Sequence, residues 1–138
     1  MSKPKITKLK KQLMELVKEH VRERDQSICQ YTGQFVYGRN RHVSHIIPVS
    51  QGNALAFCPL NMKILSYHSH INFWHKNPLE AAEWFKSKFP GRWAYLQKHK
   101  NDIVKWKEHD WLEMIRLAKA GDWEAYHVYI LKGEYNES

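Results

Sequence analysis

Between Cys29 and His75 the chain gathers the residues that most restrict what it can fold into. Five of its nine histidines, His42, His45, His68, His70 and His75, fall in this stretch. The run His42 to Val49 reads as a strand with two histidines at its start, stopped by Pro48. Asn61 follows after a loop. The segment Met62 to His75 is then dense in histidine and small polar residues. Imidazole is both the commonest ligand for divalent metals and a general base near neutral pH. Such density in a short stretch asks for chemistry.

The surrounding residues predict an α+β domain. Cys29-Gln-Tyr-Thr32-Gly33 has the shape of a Cys-x-x-Cys-Gly knuckle with its second cysteine replaced. Phe35, Val36 and Tyr37 suit a first strand, and Gly38-Arg39-Asn40 suits a turn. The expected hairpin pairs 35–37 with 42–49. A loop from Gln51 to Pro59 and a helix from about Leu60 to Trp74 complete the centre.

Both flanks read as helical. Ile6, Leu9, Leu13, Leu16, Val17, His20 and Val21 recur at helical spacing over 4–24, an amphipathic stripe behind Pro4 at the first turn. Beyond Pro78, helices are expected at 79–89, 93–99, 110–119 and 122–131. Pro90-Gly91 ends the first, Gly121 separates the last two, and Asp110 and Asp122 stand where N-caps belong. With 43 % hydrophobic residues and six tryptophans, a packed core is within reach, and Trp106, Trp111, Trp123 and Tyr126 are read as core. The 138 residues make one domain: a basic N-terminal helix (1–26), a centre (29–77) and a helical extension (78–138).

The net charge of +8 favours a nucleic-acid partner, with an anionic membrane surface second. Residues 1–24 hold eight Lys/Arg against three Glu, and 86–107 hold seven against Asp102 alone; 108–138 hold three against seven acids. Candidate phosphate contacts are Lys8, Lys10, Lys11, Arg39, Arg41, Lys63, Lys98 and Lys100. No apolar run is long enough to span a bilayer, and no signal-peptide core is present. Cys29 and Cys58 make no disulfide framework. A soluble, cytoplasmic protein is expected.

Ser44-His45-Ile46-Ile47-Pro48, then Pro59-Leu60-Asn61, then Leu65 and Ser69-His70 together resemble the HNH nuclease motif. The frame is similar to the phage NinG-type recombination endonucleases. The resemblance covers about 29–77. It implies a ββα-metal core, a hairpin packed on a helix with one divalent ion between them, set here among flanking helices. On it, His45 is the water-activating base, Asn61 holds the loop and orients the hairpin, and His70 is a metal ligand. Ser44 occupies the position where many relatives carry an acidic or histidine ligand and is counted among the candidate metal ligands; because a serine hydroxyl is a poor ligand for a hard ion, His75 or His42 is expected to contribute as well, His75 first. Many relatives also hold a structural zinc on two Cys-x-x-Cys pairs. The matching positions are Cys29, Thr32, Ser66 and Ser69, so no structural zinc is expected. The expected cofactor is Mg²⁺ or Mn²⁺, with Zn²⁺ or Ni²⁺ able to substitute in a crystal. The expected activity is phosphodiester hydrolysis on DNA, with branched or recombination intermediates as substrates. The alternatives are a degenerate HNH fold that binds DNA without cutting, and an RNA-directed module.

Overall fold

The computed structural model describes residues 3–131; the ends of the expected domain, 1–2 and 132–138, lie outside it. The described chain is α+β and mostly helical, six helices with one two-stranded antiparallel sheet packed against the first. Helix α1, Lys3–Arg24, forms as its stripe predicts. Leu13, Val17 and Val21 are fully buried, each contributing about 1.5–3 kcal/mol by leaving water. This stripe packs on α4, Glu108–Ala120, which offers Trp111, Met114, Ile115, Leu117 and Ala118. Gly121, at φ +71°, ends α4 in the left-handed conformation that lacks a steric cost only for glycine. Asp122 caps α5, Trp123–Ile130, its carboxylate accepting from Ala125 N at 3.1 Å. Asp110 is not the N-cap of α4. It lies inside the first turn, accepting from Lys107 N at 2.8 Å.

The sheet corrects the expected hairpin. Strand β1, His42–His45, pairs with β2, Met62–Leu65, in the register His42↔Leu65, Val43↔Ile64, Ser44↔Lys63 and His45↔Met62. Residues 62–65 were expected to open a helix, and 35–37 to supply the strand; the latter contribute one bridge, Ile28↔Phe35. All four β2 residues are buried. A strand covered on both faces shows no period of two, so its pattern cannot be told from a helical segment. The helix starts only after Ser66, and β1 stops at His45 rather than Val49.

Two arginines clamp the turn that enters β2. Arg24, at the end of α1, donates to Pro59 O at 2.7 Å and Met62 O at 2.6 Å. Arg92, on α3 (Pro90–His99), donates to Leu60 O and Met62 O, both at 2.9 Å. The buried Asp25 carboxylate offsets their charge, accepting from Arg24 Nε at 2.9 Å and Ile64 N at 3.0 Å. Pro90-Gly91 opens α3 as well as ending α2, Pro78–Lys88. The loop after β1 is pinned to the chain beyond α3. Asn53 accepts from Val104 N at 2.7 Å and donates to Val104 O at 2.5 Å. At Gly52 a Cβ would stand 2.7 Å from Lys100 O, so the close approach requires glycine.

Candidate active site

Ser69–His75 forms a π-helix across the hairpin. This turn decides the site. In an α-helix, at about 100° per residue, a residue five further on faces about 140° away. The i→i+5 hydrogen bonding of a π-helix instead sets it over the first. His70 Nε2 and His75 Nε2 accordingly lie 3.1 Å apart, with rings edge to face at 4.4 Å. Trp74, at the α-helical spacing from His70, is left free to anchor. Its Nε1 donates to His45 O at 3.0 Å.

Ser44, expected among the ligands, has another contact. It is buried, and its hydroxyl lies 3.1 Å from His70 Nδ1. With Nδ1–H donated to Ser44, the Nε2 of His70 carries the lone pair and faces His75. A hydrogen bond on the far ring nitrogen is the usual way to orient a metal-binding imidazole. His42 stacks on His70 with centroids 5.1 Å apart and planes 24° from parallel. His68 is exposed and paired with Asn72 at 2.9 Å. Burial first, then the neighbouring His75 and His42, hold the His70 pKa down at about 4. It is therefore a neutral ring, as a ligand must be.

As it stands the His70–His75 contact is a hydrogen bond, donated by His75 Nε2, and with that proton lost its spacing matches two ligands on one divalent ion. Two nitrogens each about 2.0–2.1 Å from one ion stand roughly 2.9–3.4 Å apart in octahedral or tetrahedral geometry, and the observed separation falls in that range. Among the described residues, however, no three His, Cys, Asp or Glu side chains are grouped to hold a metal. Among these residues the protein offers two nitrogens.

His45 Nε2 lies 3.1 Å from Ala56 O. A carbonyl only accepts, so Nε2 carries the proton and Nδ1 the free lone pair. Burial, opposed by the Ala56 bond and aided by Lys18 and Lys63, pushes its pKa below the ordinary imidazole range. His45, Ser44, His70 and His75 line one cleft of about 440 Å³, walled also by Trp74, Trp93 and Pro78. Asn61 holds the chain around it. Fully buried, it accepts from Ile47 N at 2.7 Å and donates to Ile47 O at 3.0 Å and Leu55 O at 3.1 Å.

The four knuckle positions converge. Cys29 Sγ lies 3.7 Å from Ser69 Oγ and accepts from Thr32 N at 3.5 Å; Ser66 Oγ is 3.0 Å from Ser69 Oγ. Burial raises the Cys29 thiol, but the bonds from Thr32, Ser66 and Ser69 outweigh it and bring its pKa to about 7. Both cysteines are buried and free.

The basic residues divide. Lys8, Lys10, Lys11, Arg39 and Lys98 are exposed. Arg41 donates to Ser27 Oγ at 3.0 Å and Lys100 to Gln97 at 2.8 Å. Lys5 pairs with Glu108 at 2.9 Å and Lys10 lies over the Trp111 ring at 5.4 Å, so this end of α1 runs along the acidic C-terminal segment. Lys63 is no phosphate contact. It is fully buried, with its amine 3.2 Å from the Trp74 ring centroid and no hydrogen-bond partner. The sequence reading also missed Ala56, Trp74 and Arg92; only Trp74, one residue before His75, carried a signal. Among the described residues no helix is long and apolar enough to cross a membrane. No protein-family model, curated protein or solved structure matches the chain.

Proposed function

We propose that the chain is a metal-dependent endonuclease hydrolysing DNA phosphodiester bonds on a ββα-metal core, the β1–β2 hairpin with the π-helix across it. The observation that carries this reading is His45, held by Ala56 with its Nδ1 lone pair free, in the same cleft as the facing Nε2 atoms of His70 and His75. His45 Nδ1 takes the proton of the attacking water, and the Ala56 carbonyl steadies the imidazolium that results. His70 and His75 hold the divalent ion, oriented from behind by Ser44. Bound there, the ion supplies positive charge for the scissile phosphate and its leaving oxygen. Asn61 fixes the loop after β1 so that His45 keeps its aim. The meeting of Cys29, Thr32, Ser66 and Ser69 supports the resemblance, since relatives hold zinc at those positions and hydrogen bonds join them here.

One observation favours a second reading, DNA binding without cutting: among the described residues only two candidate ligand nitrogens face each other, and no carboxylate joins them. Supercoiled plasmid incubated with Mg²⁺ or Mn²⁺, beside a chelator control and a single-stranded RNA, separates the two. Metal-dependent nicking is the expected result. Retention of DNA with no cutting under any metal would establish the second reading, and cutting of RNA alone would redirect the substrate.

A further inference from the structure

Among the described residues, the exposed Phe and Tyr side chains are Tyr31, Phe35, Tyr37 and Tyr67, and no Trp joins them. They all lie around one end of the hairpin. Tyr31 is held, stacked at 3.8 Å on Phe73. The other three face solvent, with relative exposures of 67, 75 and 55 % for Phe35, Tyr37 and Tyr67. The Phe35 and Tyr37 rings lie 6.2 Å apart, 30° from parallel. The turn Gly38–Asn40 joins them to Tyr67, because Asn40 N bonds Tyr37 O at 3.1 Å and Asn40 Oδ1 accepts from Tyr67 N at 2.8 Å. Tyr67 stands 5.3 Å from the His42 ring, and His42 stacks on His70. A run of rings thus leads from solvent to the imidazole pair.

Three open aromatic rings add nothing to this core, whose own aromatics are enclosed. Their faces suit flat, uncharged partners. The exposed Arg39 sits in the turn between them, in a chain of net charge +8, so that partner carries negative charge. Bases in a duplex are already stacked on one another; bases of a single strand are free to stack on protein rings, with cations on the intervening phosphates. We propose that Phe35, Tyr37 and Tyr67 are a stacking platform for unpaired nucleobases, leading a single-stranded segment into the cleft of His45, His70 and His75. The clause about the cleft rests on the nuclease reading; the platform itself does not.

The test is equilibrium binding in chelator, where no cutting intervenes. The probes are a labelled oligothymidylate, the matching oligouridylate and a hairpin duplex. Wild-type protein should prefer the single strands. Tyr37→Ala and Tyr67→Ala should each weaken single-strand binding about tenfold, a typical loss for one stacked base, with duplex binding little changed. Tyr37→Phe and Tyr67→Phe, which keep the ring, should bind as wild type, and unchanged melting would show that all four variants fold. Ring-dependent binding of oligouridylate as well supports the platform and means that the sugar is not read. Alanine variants that bind single strands as well as wild type overturn the proposal, as does an equal loss for duplex. So does a wild-type dimer that these variants make monomeric without loss of affinity. A protein that nicks nothing yet shows the ring-dependent loss retires the nuclease and keeps the platform; efficient nicking with no ring dependence does the reverse.

Discussion

Burial acts on Lys63 and His45 in the same direction and with opposite consequences. Burial, with Arg92 nearby, drives the Lys63 pKa well below the ordinary lysine value of 10.5. Two aromatic faces, Trp74 and the more distant Phe85, cannot replace the three hydrogen bonds that water gives an ammonium. The unfolded chain therefore holds a proton that the folded chain gives up, and stability rises with pH across the window up to the unfolded value. Lys63→Met should raise the melting midpoint at neutral pH, by the equivalent of about 1–3 kcal/mol for an unpaired buried polar group. The gain should shrink as pH nears the ordinary lysine range; a lower midpoint at neutral pH would mean the amine has a partner. For His45, the proposed base, the lowered pKa keeps the ring neutral, so that role would be lost only when pH falls below the usual imidazole range. At saturating Mn²⁺ the nicking rate should stay level down to pH 6.5 and decline beneath it. His45→Ala should cut about 10²–10⁴-fold more slowly with its melting curve in place, and a near-normal rate would take His45 out of this role.

The loop after β1 depends on Asn61, whose three bonds satisfy both backbone groups of Ile47 and the carbonyl of Leu55. Asn61→Ala should lower stability by about 1–3 kcal/mol for each partner left unpaired and slow cutting as His45 loses its aim. A full rate at an unchanged midpoint would leave the amide without a task. That His45 and His70 meet at one cleft, with Asn61 holding the loop between them, was legible in the sequence because their spacing and neighbours formed a pattern, and α1 because one of its faces is wet. Strand β2 was not, since burial on both sides erases alternation. The π-helix was not either: five-residue spacing carries no helical signature, so nothing in the sequence set His75 beside His70. Ser44 was read as a substitute ligand because a sequence shows which residue fills a position and not which ring nitrogen it meets.

Charge counts change once the fold is known. Lys63 is interior, and Arg24 and Arg92 are committed to backbone carbonyls. The candidate phosphate contacts narrow to exposed cations such as Lys8, Lys11, Arg39 and Lys98. Neutral replacements there should flatten the log–log salt dependence of duplex binding by about 0.9 per lost phosphate contact, while Lys63→Met should leave the slope alone. A slope that moved with Lys63 and not with the exposed residues would reverse this assignment. The arginine clamp has a wider consequence. The carbonyls of Pro59, Leu60 and Met62 take their donors from helices on either side of the hairpin. Residues 29–77 on their own therefore lack the arginine donors to these carbonyls, and the segment should hold its central turn less firmly apart from α1 and α3. Hairpin and helices are thus one cooperative unit, in which positions 24 and 92 reach the candidate site through the turn they bond.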